Sequence, residues 1–283
     1  MKKIAFLAAL MLAFTTIFAS ADSFKTVSIG ADLSEQQKQK MLDVFGVSEE
    51  DALVVMVTND EERSYLSGIA PESKIGSKAI SCSYVEPQGE GSGLQVMVKN
   101  LTWVTEDMIA NSLATAGVKD AKVVAAAPFN VSGTAALTGI MMGFEKATGE
   151  KLDVDAKDAA NREMITTGEL GEELGKDNAV KLMNEIKQEV IKNNLSSPDD
   201  IRTIIQKVAD HYGVTLSEDQ INQIIDVMQR ISKLDIDIND ISNQLKNMGD
   251  KLQTLIEESE ETRNMLQQVL DMLSGLIAKL KFW

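Results

Sequence analysis

The chain has 283 residues, 43 acidic against 28 basic side chains, a formal net charge of −15, one histidine and one cysteine. So acidic a molecule repels phosphate backbones, which argues against nucleic acid as a partner. One Cys permits no internal disulfide, and one His beside it cannot complete a zinc site of His and Cys ligands.

The N-terminus carries Lys2 and Lys3, an apolar run from Ile4 to Phe18, then Ala19-Ser20-Ala21 before Asp22. Two charges, a short apolar core and an A-x-A site describe a cleavable secretory signal over residues 1–21. The run is shorter than the roughly twenty residues a membrane span needs. No cysteine follows the cut, so lipid attachment there is not supported. Cleavage at 21 of 283 residues leaves 262, and losing two lysines takes the charge from −15 to −17. No later segment is apolar enough to span a bilayer, so the expected location is extracytoplasmic, secreted or in the cell envelope.

Residues 22–150 read as an α+β domain. Phe24 to Ile29 alternates like a strand. Ser34 and Gln37 form a capping box before a helix that Gly46 ends. Leu53 to Val57 is a continuous apolar strand. Asn59 to Ile75 reads as loop, with Gly68, Pro71 and Gly76 as punctuation. Lys78 to Val85 and Leu94 to Lys99 read as strands joined by a Pro/Gly-rich turn, hence a hairpin. Thr105 starts a helix with acids in its first turn. Lys122 to Ala127 reads as a buried strand stopped by Pro128. A last helix, from Ser132-Gly133-Thr134 to Ala147, carries Ala135, Gly139 and Gly143 at spacing four, which allows close backbone approach. The expected architecture is a mostly antiparallel sheet with helices on one face.

Residues 151–234 read as a helical domain. Asp155 to Asn161 and Glu169 to Leu174 are weak helical stretches, interrupted by Gly168, Gly171 and Gly175. Asn178 to Asn194 is firmer. Ser197-Pro198-Asp199-Asp200 is a helix start with proline at its first position, and Ser217 with Gln220 repeats the capping box.

Residues 235–283 read as a long amphipathic, coiled-coil helix. One heptad row runs from Ile231 through Ile238, Leu245, Leu252, Ser259, Leu266, Leu273 and Leu280. The other runs from Leu234 through Ile241, Met248, Leu255, Thr262, Val269, Leu276 and Trp283. Ile256, Leu270 and Ile277 widen the stripe beyond a two-stranded seam, which suits a bundle. Ser259 and Thr262 interrupt it inside Glu257-Glu258-Ser259-Glu260-Glu261. The apolar members Ile238, Ile241, Leu245, Met248, Leu252, Leu255, Leu266, Val269, Leu273, Leu276 and Leu280 are the candidate partner-binding residues.

Catalytic signals are weak. His211, at a helix end, suits a capping role. In Ile80-Ser81-Cys82-Ser83-Tyr84, alternation turns Cys82 inward as a buried thiol. Aromatic platforms are too few for a sugar cleft, although carboxylates abound. Asp235-x-Asp237-x-Asn239-Asp240 begins like a calcium loop, then places Asp240 where glycine belongs and Lys246 where the bidentate Glu belongs. No metal or cofactor site is expected. Ser132, Gly133 and Thr134, between a strand and a helix, are the candidate ligand-binding residues, since backbone N–H groups there could face an anion.

The strings Gly30-Ala31-Asp32-Leu33, Thr58-Asn59-Asp60, Ile80-Ser81-Cys82 with Val85, Thr115-Ala116-Gly117, and the run from Ala127-Pro128-Phe129 to Thr138-Gly139 resemble the bacterial exported proteins of domain-of-unknown-function family 1002. The resemblance covers about Phe24 to Leu152 strongly and the helical part more loosely. It implies a secreted protein of a Gram-positive lineage and brings no activity or catalytic residue with it.

Three functions follow from these readings. The first is a non-enzymatic binding or scaffolding protein that assembles with itself or another protein through the C-terminal helix. The alternative is a hydrolase or small-anion-binding enzyme using the α+β domain. The third is attachment to a membrane surface through Lys279, Lys281, Phe282 and Trp283, which Glu257 to Glu261 oppose on anionic lipid. The C-terminal helix could also fold back on residues 178–230.

Overall fold

The computed structural model describes residues 24–236. The stretch expected to be a signal, residues 1–21, and the heptad rows from Ile238 onward lie outside them. Among the described residues no helix is long and apolar enough to cross a membrane.

The first unit is β1 (Thr26–Gly30), α1 (Glu35–Phe45) and β2 (Leu53–Val57), with β2 parallel to β1 from Thr26↔Leu53 to Gly30↔Val57. Ser34 and Gln37 close the capping box, and Gly46 ends α1 in the left-handed conformation at φ 69°. The expected loop from Asn59 to Ile75 instead holds two helices, α2 (Asn59–Leu66) and α3 (Glu72–Ile75). The physical reason is at α2's start, where Thr58 and Glu61 form a second capping box.

Next come β3 (Cys82–Pro87), β4 (Gln95–Leu101), α4 (Glu106–Thr115), β5 (Ala121–Val131) and α5 (Ala136–Thr148). The sheet order is β2-β1-β3-β5-β4. β3 runs antiparallel to β1 and β5, while β4 runs parallel to β5. Four strands therefore point one way, and β3 alone is reversed between them. The α+β class stands, but the sheet is mixed rather than mostly antiparallel, and helices lie on both of its faces rather than one.

The expected hairpin of β3 and β4 is not formed, because β5 lies between them. Alternation in a strand sets which face is buried and carries no information about the neighbouring strand. The turn after β3 is tied to the start of β5: Gln88 donates from its backbone N to the Asp120 carbonyl, and Gly93 N donates to Asp120 Oδ1 at 2.6 Å. Pro128 does not stop β5. Pairing with β3 ends at Ala126, so the missing N–H leaves no ladder bond unmade, and β5 rejoins β4 at Leu101↔Val131. Asn100 bridges the irregular stretch at φ 61°, its Nδ2 donating to the Ala127 carbonyl at 2.7 Å.

α5 lies close on β1 and β3. Ser83 Oγ donates to Ser28 Oγ at 3.0 Å, and Ser28 Oγ donates to the Gly139 carbonyl at 2.5 Å. A Cβ on Gly143 would stand 3.3 Å from Val85 Cγ2, so the small residues serve close approach, as their spacing suggests. α4 and α5 share one core with Val85, Val123 and Ala125. On the opposite face, Val27, Ile29, Cys82, Tyr84 and Ala126 pack against Met41 and Leu42 of α1.

The rest is helical: α6 (Val154–Leu174), α7 (Lys176–Lys192), α8 (Pro198–Tyr212) and α9 (Glu218–Ile231). The two weak stretches expected between Asp155 and Leu174 form one 21-residue helix capped by Asp153. Its glycines are packing positions: at Gly168 a Cβ would come within 2.3 Å of Trp103. A second core, including Leu182, Ile186, Ile201, Ile205, Ile224 and Met228, joins α6 to α9. Burying each such side chain is worth about 1.5–3 kcal/mol.

The two cores meet at a buried ion pair. Lys187 Nζ of α7 donates to Glu163 Oε1 of α6 at 2.8 Å, to Thr115 Oγ1 of α4 at 3.1 Å and to the Asn111 carbonyl at 3.0 Å. Thr115 Oγ1 in turn donates to Glu163 Oε2. Lys187 is fully buried, and all three of its donors are used.

Candidate functional site

The strands β1, β2, β4 and β5 all end at one edge of the sheet, and β3 begins there. In α/β sheets, crevices outside the carboxyl ends of strands are where ligands bind. Gly30–Leu33, Thr58–Asp60, Ile80–Cys82 and Ala127–Gly133 all fall at this edge.

Backbone bonds lock the edge. Ala79 N donates to Asp32 Oδ2 at 2.8 Å, and Asp32 N donates to the Ala79 carbonyl at 3.2 Å. Gly30 admits no side chain here, because a Cβ would stand 2.3 Å from the Ala79 carbonyl oxygen. Arg63 fans out from α2: Nε to Asn59 Oδ1 at 3.0 Å, Nη1 to Glu72 at 2.8 Å, and Nη2 to the Gly76 carbonyl at 2.8 Å.

A cleft of about 310 Å³ opens between the 73–81 segment and the β5–α5 connection. Ser132 and Thr134 line it; Gly133 is buried beside Leu101 with φ +90°. The hydroxyls do not cap α5, whose first turn has no side-chain cap. Both donate instead to the Lys74 carbonyl, each at 2.8 Å. Lys74 is moored further: its Nζ pairs with Glu172 and lies 5.2 Å over the Trp103 ring, while Trp103 Nε1 donates to Glu172 Oε1 at 2.8 Å. The bond from Lys74 holds Glu172 below the usual carboxylate range. Lys78, exposed on the same wall, makes no side-chain hydrogen bond or ion pair among the described residues.

Two acidic or nucleophilic groups near this edge are buried. Glu62 is 1% exposed; its Oε2 accepts from Asn59 at 3.3 Å, while Oε1 has no hydrogen-bond partner. Desolvation raises its pKa to about 7. Burial likewise pushes the Cys82 thiol up to about 11, which leaves it protonated and unreactive at neutral pH. His211 is exposed in the last turn of α8, edge-on to Tyr212. Among the described residues no His, Asp or Glu lines the cleft. Among the described residues no group of three or more His, Cys, Asp or Glu is placed to hold a metal ion. A wider groove of about 560 Å³ runs between α6 and α9, where Arg162 pairs with Asp158 at 3.0 Å and Asp226 at 3.6 Å.

Sequence reasoning reached Ser132 and Thr134 but missed Lys74, Trp103 and Glu62. The Thr58-x-x-Glu61 box would have placed Glu62 on a helix; nothing local signals its burial. The partner-binding candidates Ile238, Ile241, Leu245, Met248, Leu252, Leu255, Leu266, Val269, Leu273, Leu276 and Leu280 lie outside the described residues.

The profile of a family described as protein of unknown function (DUF1002) matches residues 29–248. The chain belongs to the DUF1002 family. It is also 44% identical over 248 residues to the uncharacterized protein YpuA of Bacillus subtilis strain 168, covering 87% of this chain and 84% of that protein. No solved structure matches. The DUF1002 match spans both the sheet and the helical part, and it runs past α9 into the first heptads.

Proposed function

We propose that this DUF1002 protein is an exported, non-enzymatic binding or scaffolding protein that assembles through its C-terminal helix. One observation carries the reading: the two rows start from the helical core. Ile231, the last residue of α9 and first in one heptad row, is fully buried there, and Leu234, three residues past the helix end and first in the other row, packs against that core. The same rows continue through some fifty residues to Trp283. More than a dozen apolar side chains, each worth about 1.5–3 kcal/mol when buried, demand cover that a lone helix cannot supply. The hydroxyls at Ser132 and Thr134 support the non-enzymatic half, being spent on the Lys74 carbonyl.

Light scattering of the mature chain beside a version ending at Ile236 tests this. A larger-than-monomer mass that the shortened chain loses supports assembly; equal monomer masses remove it. Export is tested by N-terminal sequencing of protein from the culture fluid and envelope, where a start at Asp22 is expected.

A second reading is a small-ligand site in the carboxyl-edge cleft, favoured by its position and by Lys78. Phosphate and carboxylate panels read by melting temperature test it, and no shift with any of them sets it aside.

A further inference from the structure

Among the described residues, the α1 side of the sheet is only partly covered. Phe45, the last residue of α1, stacks on Tyr84 with ring centroids 6.2 Å apart. Beyond that pair, Met97 and Val124 lie in register on adjacent strands with no helix over them among the described residues, and Met97 is 45% exposed. They floor a shallow cavity of about 360 Å³. Lys99 and Lys122 stand on its rim, and neither side chain makes a hydrogen bond or ion pair among the described residues.

We propose that this face receives Leu252–Leu266 from the C-terminal segment of a second copy of the chain. The proposal rests on the assembly reading and names the surface the segment meets. A sheet face buries its apolar side chains under a second layer, and the segment is of the right length. The 47 residues after Ile236 would span about 70 Å as a helix.

Charge selects the part that docks. The apolar stripe lapses at Ser259 and Thr262, where Glu257, Glu258, Glu260 and Glu261 cluster, with Leu252, Leu255 and Leu266 on either side. On a protein of net charge −15, most surfaces repel such a block. Two unpaired lysines flanking a small apolar floor attract it, since complementary charge selects partner and register.

Geometry selects the second copy. Ile236 packs against the cores on the α4–α6 side, opposite the Met97 face. Its own segment would have to round the β4 edge to reach that face. In a two-fold pair each segment crosses to the other copy, and both bare faces close at once.

Mixing the mature chain with an isotopically heavy copy, then treating with a zero-length carbodiimide, reads the contact directly. Expected are amides joining Lys99 or Lys122 to a glutamate of Glu257–Glu261, in light–heavy pairs. Lys99→Glu with Lys122→Glu should weaken self-association about tenfold or more, and adding Glu257→Lys with Glu260→Lys should restore it. Absence of the cross-link, its confinement to one isotope, or indifference to charge reversal would overturn the proposal. An assembly lacking the cross-link rejects this face alone; a monomer at every concentration rejects the assembly reading too.

Discussion

Gly168 of α6 lies against the indole of Trp103, so close that a Cβ on the glycine would stand 2.3 Å from Cη2. Through it the helical part sits on the β4–α4 connection, and Glu172, one turn on, accepts from the indole N–H. Alanine is the better helix former by about 1 kcal/mol. Overpacking costs about 1–3 kcal/mol and should win, because the clash meets a buried ring. Gly168→Ala is therefore expected to lower the urea midpoint at unchanged slope; a raised midpoint would contradict the contact.

The Glu163–Lys187 pair gives a second prediction. Removing one partner strands a buried charge, at a cost of about 3–5 kcal/mol. Lys187→Met should thus be severely destabilising, and Glu163→Gln nearly so. The double variant should recover much of the loss, because no unpaired charge remains. A denaturation cycle over the four proteins checks this, and strictly additive losses would rule out the coupling.

How much of this was legible in the sequence depends on how local the cause is. The boxes at Ser34/Gln37 and Ser217/Gln220, and the Ser197-Pro198 start, act within four residues, and the structure has them where they read. The Thr58/Glu61 box was equally local, but Gly68 and Pro71 masked the helix before them. Neighbour relations were not local. Nothing near β3 shows that β5 arrives between it and β4, or that Glu163 meets Lys187 twenty-four residues later. The candidate site was found by position. The use of its hydroxyls was hidden because Lys74 lies 58 residues from Ser132.

Glu62 sets a pH dependence. Its folded pKa, about 7, lies above the ordinary 4.5, so folding favours the protonated form. The stabilisation is fully present below pH 4.5 and declines as pH rises from there to about 7. It amounts to about 3 kcal/mol at 1.36 kcal/mol per pH unit. Denaturant titrations should show wild-type stability falling over that window relative to Glu62→Gln. Parallel curves for the two proteins would contradict the buried carboxyl.

Cys82, 1% exposed with a raised pKa, should resist alkylation. Iodoacetamide at pH 8 is expected to label the native protein far more slowly than the protein in urea. Equal rates would place the thiol at the surface.

Assembly through the heptad stripe is the central claim, and the mass in solution of the chain from Asp22 onward tests it most directly. Sedimentation equilibrium across a concentration series should give a multiple of the single-chain mass, falling to one chain in Leu273→Asp with Leu276→Asp. A single-chain mass for the unaltered protein at every concentration would contradict the account.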